Sequence, residues 1–155
     1  MSIGYACLNI GTPNTNIRSV MQRNATPEKL TEVTEHNLAA LERMIDYNHK
    51  NDIKLFRISS DLIPFGSSPV NALPWWDIHA EAFQHIGAKI RKSGMRVSFH
   101  PGQYTVLNSP DEDVVARAIL DLAYHDKMLE CLGVDNKNKI VLHVGGIYGD
   151  KEAAL

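Results

Sequence analysis

The sequence predicts an α/β fold, a TIM-type (β/α)8 barrel of which these 155 residues form roughly the first four βα units, a half-barrel. Three observations lead there. Short β-branched or apolar runs alternate with long amphipathic stretches four times in succession, which implies a parallel sheet with right-handed crossovers. Two of the runs, Arg96–Phe99 and Lys139–His143, deliver His100 and His143 at their C-terminal ends, each followed by a glycine-bearing turn. In a β/α barrel that end of the strands is where chemistry is placed. No Gly-rich phosphate loop follows the first strand, which argues against the rival doubly wound open sheet.

The elements follow in order. Ile3–Asn9 is a first strand of small and apolar residues, and Gly11–Thr26 is a polar loop with Arg18, Arg23 and no acid. That loop reads equally well as solvated or as phosphate-facing. Thr26 is the N-cap of the first helix, with Pro27 at N1 and Glu28 beside the positive end of the dipole. Leu30, Val33, Asn37, Leu38, Leu41, Met44 and Ile45 recur at helical spacing, giving one apolar face that runs to about Lys50. Asn51-Asp52 breaks the helix and Ile53–Ile58 is strand two. Ser59–Ala72 is a loop, and Pro74 opens helix two, whose buried stripe is Trp76, Phe83, Ile86 and Ile90. Gly94 ends it in the left-handed conformation. After strand three, Ser109-Pro110-Asp111-Glu112 reads as a capping box with Pro at N1. Val115, Ala118, Ile119, Leu122, Leu129 and Leu132 line the inner face of helix three, and Gly133 closes it. Beyond strand four, Gly149–Glu152 looks like the start of another helix with Asp150 as cap.

A domain rarely ends inside the first turn of a capped helix, and a complete barrel runs to about 250 residues. Residues 1–155 are therefore expected to be the N-terminal part of a single barrel domain. A half-barrel exposes a sheet edge and part of an apolar inner face, so self-association is expected unless the missing half is supplied.

Composition narrows the setting. With 44% hydrophobic and 22% charged residues the chain reads as soluble and globular. No apolar run approaches the ~20 residues of a membrane helix, and the start lacks a secretory signal. A cytoplasmic protein with no membrane partner is expected. Cys7 and Cys131 fit no CxxC spacing and read as free thiols in a reducing compartment. A net charge of −2 counts mildly against nucleic acid as partner, leaving room for a local basic patch.

A lone histidine at a strand end is more often a hydrogen-bonded core residue than a ligand. Two in equivalent positions reverse that preference, because neighbouring strands lie ~4.8 Å apart and both imidazoles can reach one ion. The other five take the plainer reading: His36 and His49 on the solvent side of helix one, and His79 and His85 on helix two away from the strand ends. His125 is expected to be a satisfied, buried imidazole on helix three. Trp75 and Trp76 are expected to cap the barrel bottom or wall, and Arg57 either faces the rim or pairs with a rim acid.

Read together, GYACLN, FRISSDLIPF, SFHPGQYTVLNSP and KIVLHVGGIYGDKEAAL closely resemble the UV damage endonuclease family, across loops as well as strands. Endonuclease IV and xylose isomerase share the barrel but not these strings. The resemblance implies a metal-dependent, ATP-independent phosphodiesterase that nicks damaged double-stranded DNA immediately 5′ of a UV photolesion. Mn²⁺ is the implied cofactor, with Zn²⁺ or Fe²⁺ as alternatives. His100 and His143 match two metal-ligand histidines; Gln103 and Tyr104 match a pair inserted opposite the lesion; Tyr5 and Asn9 match residues that probe the distorted site. The family's remaining ligands lie in the second half of the barrel, so the fragment alone is expected to be inactive. Ser68 stands where the family usually has a further ligand histidine, and a hydroxyl is a much weaker ligand. The alternatives are a sugar-isomerase-like metal barrel and a non-catalytic binding fragment.

That chemistry suits these residue types. Metal ions lower the pKa of bound water and clamp the attacking and leaving oxygens. A dimerised pyrimidine pair is cheaper to extrude than normal bases. A flat tyrosine with an adjacent amide fills the gap in the stack, so selectivity comes from deformability.

Overall fold

Four short strands, β1 (Gly4–Ala6), β2 (Leu55–Arg57), β3 (Arg96–Phe99) and β4 (Lys139–Ile140), pair in parallel in chain order. The crossovers carry α1 (Pro27–Lys50), the pair α2 (Trp75–Ile78) and α3 (Ala80–Ser93), and α4 (Glu112–Leu132). The computed structural model describes residues 3–149 and 152. The further helix predicted at Gly149–Glu152, with Asp150 as cap, falls largely outside them. The expected α/β architecture with a parallel sheet is present.

The strands are shorter than predicted. Cys7 takes a left-handed φ of 59° directly after Ala6, and the Leu8 amide turns back onto the Ala6 carbonyl at 2.6 Å. β1 therefore stops at Ala6 instead of reaching Asn9. The ladder aligns Tyr5 with Phe56 and Val97, and aligns Ala6 with Arg57, Ser98 and Lys139. Because side chains alternate across a strand, the first row faces the helices and the second faces away. Phe56, Val97 and Phe99 are buried against Leu41, Met44, Phe83, Ile86, Ile90, Met128 and Leu132. The opposite face was expected to be partly apolar. It keeps Gly4, Ala6 and Leu55 as that apolar part and adds three cations, Arg57, Arg96 and Lys139, beside Ser98.

The helix ends show which local signals held. Thr26 Oγ1 accepts from the Lys29 amide at 3.2 Å with Pro27 at N1, while Gly94 and Gly133 close α3 and α4 with φ of 65° and 59°. The second helix is broken at His79, whose φ of −109° interrupts the helical run. That break turns Trp75 inward, 5.9 Å from Phe83 and 5.7 Å from Tyr124. Trp76, predicted in the buried stripe, is exposed. The cap of α4 is Asp111, whose Oδ1 accepts from Asp113 and Val114, and not Ser109. Ser109 Oγ instead accepts from the Asp111 amide, forming the turn before the cap. Along α4 the seam is Ala118, Tyr124, His125, Met128 and Leu132, and Ile119 is exposed. Tyr124, with a polar tip, joins the expected His125 in a seam that an apolar count gave to aliphatic residues.

Candidate functional site

The end of β3 is held from two sides. Ser60 Oγ donates to the His100 carbonyl at 2.9 Å, and the Val141 amide donates to the Phe99 carbonyl at 2.9 Å, carrying the β3–β4 pairing one step past β4. With the backbones so tied, half-buried His100 and exposed His143 meet edge to face. Their ring centroids are 4.6 Å apart at 89°. The two strand ends thus present their imidazoles together on the same lip of the sheet. Among the described residues no third His, Cys, Asp or Glu joins them in a group able to hold a metal ion.

Beyond His100 the chain turns at Pro101-Gly102, and the Thr105 amide donates to the Gly102 carbonyl at 2.9 Å. Gln103 and Tyr104 occupy the tip of that turn, with Tyr104 82% exposed. A tyrosine so exposed packs little of its ring against its own chain. The base of the turn is fixed from below: Thr105 is buried and its Oγ1 donates to Asp121 Oδ2 of α4 at 2.7 Å. Asn108 Nδ2 donates to the Gly146 carbonyl at 2.9 Å, which joins the Tyr104 loop to the loop after His143. Gly145 has φ of 106° and lies so close to Asn108 that a Cβ would overlap its side chain. That contact explains the glycine at position 145.

Ser68, Gln103, Tyr104, Asp121, His143 and Tyr148 line one open cleft of about 1240 Å³. The loop that brings Ser68 there is built on Tyr124. The Tyr124 hydroxyl accepts from the Ile63 amide at 3.1 Å and donates to the Ser60 carbonyl at 2.9 Å, and Gly66 lies flat against its ring. Ser68 Oγ accepts from the Val70 amide at 3.3 Å, so it serves the local turn while facing the cleft.

Tyr5 and Asn9 lie elsewhere. Asn9 Nδ2 donates to the Tyr5 hydroxyl at 3.4 Å, and the half-buried Tyr5 ring packs 4.9 Å from Phe56. Burial pushes the Tyr5 phenol up in pKa, against the hydrogen bonds from Asn9 and Asn48. Neither residue lines the cleft that Tyr104 and His143 share.

Among the remaining histidines, two differ from expectation. His36 is half-buried and its Nε2 lies 3.0 Å from the Asn16 carbonyl, tying the Gly11–Thr26 loop to α1. That loop is also held by buried Asn37, which exchanges hydrogen bonds with the Arg18 backbone at 2.8 and 2.9 Å. His125 is fully buried as expected but only half satisfied. Its Nδ1 lies 2.6 Å from the Asp121 carbonyl, while Nε2 has no hydrogen-bond partner among the described residues. Burial pushes its pKa down. Sequence reading missed Thr105, Asn108, Asp121 and Tyr124, which fix the loops around the site. The paired glycines after His143 were the one visible trace of them.

Comparison with known proteins identifies the family. The family model described as UV-endonuclease UvdE matches residues 2–155. The UV DNA damage endonuclease of Clostridium perfringens is 45% identical over 99% of this chain and 37% of its own length. That of Bacillus velezensis is 38% identical over 87% of this chain and 42% of its own length. The crystal structure of SacUVDE superposes with a TM-score of 0.95 at 34% identity, covering 99% of this chain and 53% of that one. The chain thus spans less than half the length of these curated relatives.

Proposed function

The chain belongs to the UV-endonuclease UvdE family, and on that premise we propose that it forms the N-terminal half of a TIM-type barrel acting in DNA repair. The reaction is metal-dependent, ATP-independent nicking of double-stranded DNA 5′ of UV photolesions. One observation carries the reading: His100 and His143 share a lip, with centroids 4.6 Å apart. Two imidazoles so close suit neighbouring positions on one divalent ion, Mn²⁺ by preference, given metal–nitrogen distances of about 2.1 Å. The described residues supply two donors and no more in that group, so further ligands come from outside this chain's described part. When bound, the ion supplies an acidified water and charge neutralisation at the phosphate.

The chain's own residues do the rest. The Pro101–Thr105 turn holds Tyr104 clear of the protein surface, where a flat ring can enter a weakened base stack. Thr105, through Asp121, keeps that turn from yielding as the duplex is pushed. Ser68 leaves one position of the cleft without an imidazole, which suits a reduced metal complement. Tyr5, within β1, and Asn9, just beyond it, act on the duplex at a second place.

The test is nicking of irradiated plasmid with Mn²⁺. The 155-residue chain alone is expected to be inactive, and co-expression with the uncovered part of the C. perfringens relative is expected to restore strand cleavage. Nicking by the chain alone, or none after reconstitution, contradicts the reading.

A further inference from the structure

The first part of α1 stands above the lip of the sheet. Asn37 marks the level of the lip, because its Nδ2 donates to the Leu62 carbonyl at 3.0 Å, just beyond β2. Pro27–His36 therefore rise past it, by about 15 Å at the helical rise per residue. Two sides of this extension differ. Leu30, Val33 and Asn37 share the side that, lower down, packs Leu41 and Met44 into the core. Glu28, Glu32 and Glu35 are exposed on a side that the helical period sets roughly opposite. The Gly11–Thr26 loop is tied to the first side. Asn37 bonds the Arg18 backbone twice, and Leu30 and Val33 are buried without belonging to the main core. His36 Nε2 lies 3.0 Å from the Asn16 carbonyl, and Arg43 Nη1 donates to the Asn14 carbonyl at 3.2 Å. From Met1 to Pro27 the chain holds no acid. Arg18 and Arg23 are exposed and make no side-chain hydrogen bond or ion pair with the described residues. Arg18 lies within electrostatic reach of Glu32, which Lys29 already holds at 2.8 Å. Asn14, Asn16, Gln22 and Asn24 are exposed along the same loop.

We propose that this loop is a wall for the DNA backbone, with Arg18 and Arg23 placed to take phosphates of the intact duplex flanking a lesion. The inference rests on the reading of the lip as the seat of the duplex, and extends it to a surface that meets no lesion. Position carries it. The wall rises beside the end of β1, two strands from the Tyr104 turn that follows β3. A duplex entered by Tyr104 lies over the strand ends, so it meets the loop side of the wall and not the acid stripe behind it. The chemistry agrees, because guanidinium forks and side-chain amides hold phosphate oxygens and fix register without reading sequence. The anchors add to this: a loop already held at Asn14, Asn16 and Arg18 has little freedom left to lose on binding.

The test is binding of a short undamaged duplex to the 155-residue chain in EDTA, followed by fluorescence anisotropy across a salt series. Lesion, metal and companion are all absent, so the measurement is blind to nicking. Two lost phosphate contacts should lower the slope of log K against log salt by about 1.8 in R18Q/R23Q. R18K/R23K keeps both charges and should keep the slope. K50Q/K92Q removes the same charge where α1 and α3 end, at the far end of the sheet, and should also leave the slope unchanged. Circular dichroism checks that each variant is folded, as expected for exposed side chains. A parent chain that does not bind at low salt overturns the proposal. So does an R18Q/R23Q slope equal to the parent's, or an equal fall in K50Q/K92Q. The two readings fail separately: strand cleavage after reconstitution with an unchanged R18Q/R23Q slope removes the wall alone. A lowered slope without cleavage upholds the wall and removes the repair reading.

Discussion

The His143 and His100 rings stand perpendicular, 4.6 Å apart, although one follows β4 and the other ends β3. Their nearness comes from backbone bonds below them. The Ser60–His100 bond pins one strand end, the Val141–Phe99 bond draws the other beside it, and Asn108 holds the loop above. The imidazole pair is thus a product of three loops fixed to one another.

Tyr104→Ala is expected to leave stability within about 0.5 kcal/mol, since an exposed side chain holds nothing. The reconstituted enzyme should lose its preference for irradiated over intact plasmid. Equal preference in the variant and the parent would remove Tyr104 from lesion reading.

Thr105→Val keeps the shape and deletes the hydroxyl that donates to Asp121. A hydrogen bond to a charged group contributes about 1.5–3 kcal/mol, so chemical denaturation should show a loss of that order. Limited proteolysis should cut faster between Gly102 and Thr105. An unchanged cleavage rate would show that the turn stands without its anchor.

Tyr124→Phe orphans the Ile63 amide and the Ser60 carbonyl, both in the loop leading to Ser68. Leaving buried polar groups unmet costs about 1–3 kcal/mol, and the midpoint of urea unfolding should fall accordingly. Gly66→Ala should be worse, because its Cβ would overlap the Tyr124 ring. A neutral outcome for Gly66→Ala would mean the loop moves freely.

Stability should fall as pH drops below about 6.5. Burial depresses the pKa of both His125 and His79 from that ordinary value, so the unfolded chain takes up protons that the folded one refuses. Their contribution is fully present above 6.5 and lost as pH falls through the folded pKa values. Asp121 opposes the effect at His125, and Glu35 at His79. His125→Gln should flatten the unfolding free energy between pH 7 and 5; an unaltered slope would contradict this.

Much of this was legible in the sequence because it depends on neighbours along the chain. The Thr26 cap, the Gly94 and Gly133 stops and the strand-end positions of His100 and His143 are local features. What was missed depends on long-range contacts. Trp75 and not Trp76 is buried because the helix breaks at His79, a choice made by packing against Phe83 and Tyr124. The α4 seam shifted because Tyr124 buries a polar tip that an apolar count passes over, beside the expected His125. The basic inner face followed from strand register, which alternation in such short runs does not specify. Asp121 is invisible in sequence because its partner, Thr105, lies on a separate loop.

The most direct test of the shared lip is a Mn²⁺ titration of the isotopically labelled chain, followed by NMR of the imidazole resonances. Paramagnetic broadening should strike His100 and His143 together at low metal ratios, with His36, His49 and His85 affected only later. Uniform broadening, or loss of one of the pair without the other, would contradict a common ion held between them.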